Sequence, residues 1–310
     1  MGLCLSFAAG IREGWSDYQN YVNGYHYAVA GDIGALEVSF FLISRFVDFI
    51  FGNILGLFII YGAIGVFLKL ISIKQLTELW FLSLIIYVSN FYILHELIQM
   101  RAGVASGFLL LCIKPIYDRN WKLFLTFFLC AFFFHYSSLV ILPLWFLTNK
   151  PRKIFLYLSV PVAYFIYFTK INLVSVAIPI PAIQAKINLY QEMLAMGEQN
   201  QINVFNYVFL VKIMIFYILL WKIDLLQKKN QYATLLIKIF ALSIFAFPVF
   251  ATMPVIGFRI SELFGIVEII LFPLLYYIAK PKVIPISVVI SIGLLLFYIS
   301  VFYGELLVNN

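Results

Sequence analysis

The chain has 310 residues, of which 64% are hydrophobic and only 11% are charged. Because soluble domains carry about 25% charged residues, this composition excludes a soluble protein. The formal net charge of +7 does not indicate a nucleic-acid partner, since the basic residues lie at the ends of apolar runs, where membrane proteins concentrate them. The three cysteines, Cys4, Cys112 and Cys130, lie in apolar sequence and predict no disulfide framework.

Apolar runs close to the length of a membrane-spanning helix, about 20 residues, recur along the whole chain. We therefore predict an all-α, polytopic integral membrane protein that forms one transmembrane domain over residues 1–310, with about eight full spans. The spans are predicted near residues 53–72, 78–97, 102–117, 153–170, 204–222, 234–250, 262–279 and 283–302.

Two segments are predicted to lie at the outer face instead of crossing the membrane. Residues 1–52 form an outer-face segment whose helix, from about Ala35 to Phe51, is predicted to be interfacial. Residues 171–203 form an outer loop in which apolar residues around Tyr190 recur at helical spacing, which predicts an amphipathic helix on the membrane surface. That helix either covers a cavity or is only an interfacial anchor.

Clusters of basic residues separate the spans in an alternating order. The clusters are Lys69 with Lys74; Lys114, Arg119 and Lys122; Lys150, Arg152 and Lys153; Lys222, Lys228 and Lys229; and Lys280 with Lys282. All of them can face the cytoplasm if the chain enters the membrane from the outside near residue 53. This alternation is the basis of the predicted topology.

The apolar run between the second and third clusters is interrupted by His135, Tyr136, Ser137 and Ser138. A single straight helix cannot join two clusters that lie on the same side of the membrane. We predict that residues 122–148 fold back as a re-entrant-like hairpin of two short helices, about 18 Å each, with His135 at the apex and open to the outer side. Polar backbone at that depth must be buried in protein or line a wet cavity. His135 is therefore either a base or substrate contact, or a hydrogen-bonded structural residue.

The arginines are distributed differently from the lysines. Four of them map to the outer face, which holds at most three of the fifteen lysines: Arg12, Arg45, Arg101 and Arg259. The preference of positive charges for one side of the membrane applies equally to arginine and lysine, so it does not explain this difference. The planar guanidinium group of arginine binds phosphate in a bidentate manner, whereas the ammonium group of lysine acts as a point charge. The segregation predicts a site for a phosphorylated, lipid-borne ligand. The alternative is snorkelling or local ion pairing, which we predict for Arg45 with Asp48 and consider for Arg259 with Glu262.

Near the N-terminus, Arg12, Asp17, Tyr18 and Tyr21 form a polar and aromatic stretch. Aromatic rings beside charged groups are typical of a sugar-binding surface, but they are equally typical of the aromatic belt at a membrane interface. Both interpretations remain open for this stretch.

The segment from His95 to Gly107 contains two recognisable patterns. His95 and Glu96 begin like a zinc-protease motif, but Gln99 occupies the place of the second histidine, which excludes a metalloprotease. Gly103 and Gly107 form a GxxxG pattern, which indicates close helix packing.

These patterns together resemble the EpsG-type family, whose members are polytopic proteins of bacterial exopolysaccharide synthesis akin to the Wzy polymerases of O-antigen and capsule. The resemblance extends from about Arg12 to about residue 280. Its recurrent polar positions match Arg12, Asp17, Arg101, His135 and Arg259 in this chain.

The resemblance implies a glycosyltransferase of the bacterial cytoplasmic (inner) membrane, with its active site toward the outside. Such polymerases transfer a growing glycan from undecaprenyl pyrophosphate to the sugar of a second lipid-linked repeat unit. His135 would act as the base, and Arg101 and Arg259 would stabilise the leaving phosphates. The expected substrate contacts are Arg12, Asp17, Tyr18, Tyr21, Tyr136 and Tyr190.

The resemblance also bounds cofactors and partners. No cofactor and no metal are expected, since no DxD-like motif lies near the predicted site. The expected partners are the lipid-linked glycan donor and acceptor and membrane lipid, with a chain-length regulator and a flippase as further candidates.

One departure from the family pattern concerns the N-terminus. Family members usually have a spanning helix before the Arg…DYxxY segment, whereas about ten residues precede Arg12, too few to span. The sequence therefore predicts either a misassigned start codon or the loss of a first helix.

Three other functions share parts of this pattern. An O-antigen ligase has a similar outer-face site but usually a larger outer loop. A lipid-linked oligosaccharide flippase or other transporter usually shows an internal repeat, and none is visible here. A membrane acyltransferase also uses a membrane-embedded histidine.

Overall fold

The computed structural model describes residues 2–11, 17–34, 36–169, 192, 196 and 202–303. Within these ranges the regular elements are helical and no strand occurs. The α-helices are α1 (Gly2–Gly10), α2 (Tyr18–Val29), α3 (Val38–Phe51), α4 (Leu55–Leu76), α5 (Trp80–Ile86), α6 (Met100–Asp118), α7 (Trp121–Phe134), α8 (Lys153–Thr169), α9 (Tyr207–Trp221), α10 (Ile223–Lys229), α11 (Ala233–Val249), α12 (Pro254–Gly265), α13 (Glu268–Leu271) and α14 (Val283–Tyr298). The remaining helical segments are 3₁₀ helices at Tyr136–Phe146 and Phe272–Tyr277 and π-helices at Tyr87–Ile98 and Ile299–Tyr303.

Four helical stretches in the described residues are long and apolar enough to cross a membrane: Leu55–Leu76, Trp80–Ile98, Met100–Asp118 and Val283–Phe302. They coincide with four predicted spans and confirm a polytopic, all-α architecture. Three further predicted spans correspond to α8, α9 and α11, which are apolar but only 17, 15 and 17 residues long. At 1.5 Å per residue these helices are shorter than a hydrocarbon core of about 30 Å.

The predicted span at 262–279 is not one continuous α-helix, and whether it crosses the membrane stays a prediction. Helix α12 ends at Gly265, α13 is only four residues long, and a 3₁₀ helix follows from Phe272 to Tyr277. Pro273, within the 3₁₀ helix, has no backbone N–H with which to continue the α-helical hydrogen bonds. Hydropathy alone did not reveal these interruptions.

The chain reverses direction at His135. Helix α7 ends at Phe134, His135 has extended backbone torsions, and the second leg of the hairpin is the 3₁₀ helix Tyr136–Phe146. At the opposite end, the Arg119 guanidinium donates hydrogen bonds to the carbonyl of Trp145, at 2.7 Å, and to that of Leu147. These bonds hold both legs together at their base. Two short helices with His135 between them are what the sequence predicts, and their depth in a membrane stays a prediction.

A compact aromatic core holds the N-terminal helices against the membrane-spanning ones. It consists of Tyr21, Tyr25, Phe40, Val47, Leu57, Phe58, Tyr61, Met100 and Val104. These residues come from α2, α3, α4 and the first turns of α6. Because α3 packs here, the residue that directly precedes it, Glu37, lies beside the start of α6.

Candidate active site

A polar cavity of about 190 Å³ lies where the first turn of α6, helix α12 and the hairpin apex meet. Its lining consists of Asp17, Tyr21, Gln99, Arg101, Ala102, His135, Val255, Phe258, Arg259 and Glu262. Most of these side chains are polar or charged, in a chain where 64% of the residues are hydrophobic. Ionisable side chains that face a cavity in a membrane protein are expensive to maintain and are a common mark of a functional site.

Glu37 links two of the lining residues from one side of the cavity. Its Oε1 lies 3.0 Å from Nδ1 of His135, and its Oε2 accepts a hydrogen bond from Nη1 of Arg101. The Glu37 side chain is only 7% exposed. One buried carboxylate therefore fixes both the imidazole and the guanidinium group.

This contact also determines which His135 nitrogen is available for chemistry. An ionised carboxylate only accepts hydrogen bonds. In neutral His135 the proton is therefore on Nδ1, and this N–H donates a hydrogen bond to Glu37. In that tautomer Nε2 has a free lone pair, as a general base requires. The His135 side chain is 13% exposed and lines the cavity.

Burial and charge act in opposite directions on the pKa of Glu37. Burial alone would raise this pKa, but the hydrogen bond with His135 and the positive charge of Arg101 outweigh it and lower the pKa below its ordinary value of 4.5. Glu37 is therefore ionised at neutral pH and remains an acceptor for both partners.

Arg101 is held by aromatic rings as well as by Glu37. Its guanidinium carbon lies 5.4 Å from the ring centroid of Tyr21 and 5.5 Å from that of Phe40. These distances fall within the range of a cation–π contact. The side chain is 31% exposed, so a guanidinium with five donors retains some for a ligand in the cavity. The rings and the carboxylate fix its plane.

A second arginine, on a different helix, also lines the cavity. Arg259 is exposed on α12 and lines the cavity, and no ion pair of its side chain occurs within the described residues. Glu262, one turn further on, instead accepts a hydrogen bond from the Gln99 side chain at 3.3 Å. The possible Arg259–Glu262 pair is thus replaced by a link between α12 and the start of α6.

The structure brings five of the predicted site residues to one cavity: Asp17, Tyr21, Arg101, His135 and Arg259. Two others lie nearby but not in its lining. Tyr18 packs against Phe58, and the Tyr136 hydroxyl reaches the Leu36 carbonyl at 3.4 Å. Arg12 and Tyr190, together with the amphipathic helix predicted in 171–203, lie outside the described residues. The functional roles of all these residues stay predictions.

The predicted Arg45–Asp48 ion pair was wrong. Asp48 accepts a hydrogen bond from the Tyr25 hydroxyl at 2.8 Å, and Arg45 lies over the Phe41 ring at 5.6 Å. Helical spacing allowed the pair, but the packing of α2 against α3 gives Asp48 a different donor. Arg45 does not line the cavity.

Three residues of the site were not assigned to it from the sequence. Glu37 was not singled out, Gln99 was treated only as a missing zinc ligand, and Glu262 only as a local ion-pair partner. Glu37 and Arg101 are 64 residues apart, so no local pattern could reveal their contact. The usable signal was a carboxylate directly before an apolar helix, on the face predicted to hold four arginines.

A second buried charge network lies behind the start of α6. Lys69 and Glu96 form an ion pair at 2.6 Å, and both side chains are 0% exposed. Lys69 also donates to the Gly103 carbonyl at 2.7 Å, and the Tyr87 hydroxyl donates to Glu96 at 3.0 Å. Lys69 therefore does not mark a cytoplasmic loop, which corrects its use in the predicted topology.

Glycines make this second network possible. A Cβ atom at Gly65 would lie 2.1 Å from Glu96 Oε2, and one at Gly103 would lie 2.7 Å from the His95 carbonyl oxygen. A Cβ atom at Gly107 would likewise lie 2.7 Å from Cβ of Leu68. The GxxxG pattern thus mediates close packing, as predicted, and it positions the turn from Gln99 to Arg101.

The site combines a positioned base with two arginines across a small cavity. Such an arrangement can remove a proton from a hydroxyl group at His135 Nε2 while guanidinium groups neutralise a phosphorylated leaving group. No cluster of three or more His, Cys, Asp or Glu side chains suited to a metal ion occurs among the described residues.

Comparison with known proteins places these observations in a family. The model of the EpsG family matches residues 1–309, which is nearly the whole chain. No curated protein and no solved structure matches the sequence. The chain therefore belongs to the EpsG family, the family of Wzy-like polysaccharide polymerases.

Proposed function

We propose that this protein polymerises undecaprenyl-pyrophosphate-linked oligosaccharide repeat units at the outer face of the bacterial cytoplasmic membrane. The observation that carries this proposal is the shared contact of Glu37 with His135 and Arg101 at the wall of the polar cavity. The family supports polysaccharide synthesis in general, and the proposal names the donor, the acceptor and the side of the membrane.

In the proposed reaction, a hydroxyl oxygen of the acceptor sugar attacks the anomeric carbon of the donor glycan. The bond between that carbon and the pyrophosphate oxygen breaks, and undecaprenyl pyrophosphate leaves. The hydroxyl proton passes to Nε2 of His135, which later releases it to outer water. Glu37 keeps the imidazole in the required tautomer and stabilises its protonated form.

Arg101 and Arg259 provide the positive charge on the leaving-group side. Negative charge grows on the pyrophosphate as the sugar–phosphate bond breaks, so preorganised guanidinium groups stabilise the transition state more than the ground state. The cavity of about 190 Å³ is smaller than pockets that enclose whole drug-sized ligands, about 300–1,000 Å³. It fits the reacting groups, while the rest of each glycan lies outside it.

The N-terminal residues supply a sugar contact in this account. Asp17 and Tyr21 line the cavity beside Arg101, which allows a carboxylate to accept from sugar hydroxyls and a ring to pack on a sugar face. Tyr18, Tyr136, Arg12 and Tyr190 are proposed to contact more distant parts of the glycan. A flippase would deliver the donor to the outer leaflet, and a chain-length regulator would act on the product.

The direct test uses the purified full chain in proteoliposomes with a synthetic undecaprenyl-pyrophosphate-linked repeat unit as the sole substrate. A polymerase converts this substrate to a ladder of lipid-linked products of two or more repeats, resolved by gel electrophoresis and mass spectrometry. A ligase makes no ladder but transfers glycan when lipid A core is supplied. A flippase moves the substrate between leaflets and forms no new bond. Either of the last two results would contradict the proposal.

A further inference from the structure

A larger groove lies at the opposite end of the hairpin from His135. It has a volume of about 700 Å³ and runs between α8 and α11. Its walls are formed mainly by Phe155, Leu158 and Val162 on one side and by Ala241, Leu242 and Phe245 on the other. Phe155 is 70% exposed, so the groove is open at the protein surface. This groove shares no lining residue with the polar cavity.

One end of the groove is cationic. Arg152 and Lys238 line it, and Arg119 is bonded to Trp145 and Leu147 at the adjacent base of the hairpin. No aspartate or glutamate occurs in the groove lining, and the described residues hold no ion pair for any of these three cations. The positive charge at this end is therefore uncompensated within the described part of the protein.

The three cations differ in whether they can contact a ligand. Lys238 is 8% exposed, and its ammonium group donates to the carbonyls of Thr148, at 2.5 Å, and Lys150, at 2.8 Å. It therefore fastens the loop after the hairpin to α11. Arg152 is exposed and directly precedes α8, and no hydrogen bond of its side chain occurs within the described residues. Arg152 is the cation that remains available.

The dimensions of the groove match one leaflet of a bilayer. From Arg152 to Val162 the α8 side of the groove extends roughly 15 Å, at 1.5 Å per residue. Half of a hydrocarbon core of about 30 Å is the same depth. By the alternation of basic clusters in the sequence, the Arg152 end faces the cytoplasm, where the membrane leaflet carries anionic lipids.

We propose that this groove binds one anionic phospholipid of the cytoplasmic leaflet, with an acyl chain between α8 and α11 and its phosphate against Arg152. The apolar walls match the acyl chain, and the uncompensated positive charge matches the phosphodiester. The N-terminus of α8 adds backbone N–H groups and a favourable dipole at the same end. The bound lipid then completes the packing of the two helices that flank the base of the hairpin. This proposal does not depend on the polymerase reaction.

The experiment measures lipid binding by the purified full chain with native mass spectrometry, using dioleoylphosphatidylglycerol and, for comparison, zwitterionic dioleoylphosphatidylcholine. Both lipids carry a phosphodiester, but the quaternary ammonium of phosphatidylcholine cancels its charge. We therefore expect a preference of about fivefold or more for the anionic lipid, since one charge interaction near a membrane surface contributes about that factor. In Arg152→Gln the preference should fall to near unity. In Val162→Trp, which fills the groove at a 43% exposed position, binding of both lipids should fall.

The matched control is Lys153→Gln, which removes the same charge from the neighbouring residue. Lys153 pairs with Asp224 at 2.6 Å and does not line the groove, so this variant should keep the preference. If Lys153→Gln and Arg152→Gln lose the preference for the anionic lipid equally, the preference arises from general surface charge, and the proposal is overturned. Equal binding of the two lipids by the wild-type protein would overturn it as well, as would retention of a polyprenyl phosphate in place of phospholipid. Arg152→Lys, which keeps the charge, provides a folded reference if Arg152→Gln is unstable.

Discussion

The two buried charge networks around the start of α6 differ in access to solvent. Lys69 and Glu96 are 0% exposed, and their contacts within the described residues are with other protein groups. Glu37 is nearly as buried, but its partners Arg101 and His135 line a cavity. Both networks bear the desolvation cost of buried ions, which is large in an apolar environment. Because only the second presents charged groups to a ligand, we expect the first to determine stability and the second to determine activity.

The largest expected effect is the loss of the base at His135. Glutamine in its place still forms a hydrogen bond but is a negligible base, so His135→Gln should lower the polymerisation rate by about 10²–10⁴-fold. In a gene-deletion strain complemented with this variant, long chains should collapse to single repeats at a normal protein level. His26→Gln, on the exposed side of α2, is the control and should give normal chains. If His135→Gln supports normal chains while His135→Ala destabilises the protein, His135 has a structural role.

The two cavity arginines should give the next largest effect. In Arg101→Lys and Arg259→Lys the charge is kept, but bidentate phosphate contacts are lost. By analogy with the loss of one transition-state donor, we expect each variant to lower the rate by about 10²–10³-fold. Arg45→Lys is the matched control, since Arg45 maps to the same predicted face but lies outside the cavity. Wild-type chain length in both cavity variants would show that these arginines only anchor the protein at the membrane interface and do not bind phosphate.

Substitutions in the Lys69–Glu96 network should change the stability of the protein and leave its polymerisation rate unchanged. Lys69→Met leaves the Glu96 carboxylate buried without its ion-pair partner, and such a loss costs about 3–5 kcal/mol. The double variant Lys69→Met/Glu96→Leu removes both charges and should recover most of that stability. Thermal unfolding of the purified protein measures the difference. A single variant as stable as the wild type would mean that the pair adds no net stability.

The smallest effect concerns the pH dependence that Glu37 confers. Because its pKa is lower in the folded protein than its ordinary value of 4.5, its ionised form stabilises the fold above pH 4.5. That stabilisation is lost as the pH falls through the lowered pKa. The stability deficit of Glu37→Gln relative to wild type should therefore be constant near neutral pH and shrink below pH 4.5. A deficit that stays unchanged at low pH would contradict the assignment.

The hairpin and half of the residues that line the cavity could be predicted because they depend on local sequence signals. Polar residues at 135–138 interrupt an apolar run between two basic clusters, and this pattern predicts a chain reversal at His135. The separation of arginine from lysine identified Arg101 and Arg259 without any structural information. The first signal arises from the cost of open polar backbone in lipid, and the second from the different ways in which guanidinium and ammonium groups bind phosphate.

The ion-pair partners could not be predicted because they come from distant parts of the chain. Lys69 looks like a loop residue at the end of an apolar run, and only its contact with Glu96, 27 positions away, shows that it is buried. Glu37 meets His135 across 98 positions through the packing of α3. The broken segment at 262–279 was missed for another reason, since hydropathy averages over the turn after Gly265.

The most direct test of this comparison is to neutralise one carboxylate in each network and measure the polymerisation rate per folded molecule. Reconstituted Glu37→Gln and Glu96→Gln proteins are compared in proteoliposomes with the same lipid-linked repeat unit, after the folded fraction of each has been determined. We predict that Glu37→Gln lowers the rate by at least about tenfold, because glutamine has one acceptor oxygen for two donors and no charge to stabilise protonated His135 or to hold Arg101. Glu96→Gln should lower thermal stability while leaving the rate per folded molecule unchanged. A normal rate for Glu37→Gln, or an equal loss of rate for Glu96→Gln, would contradict the account.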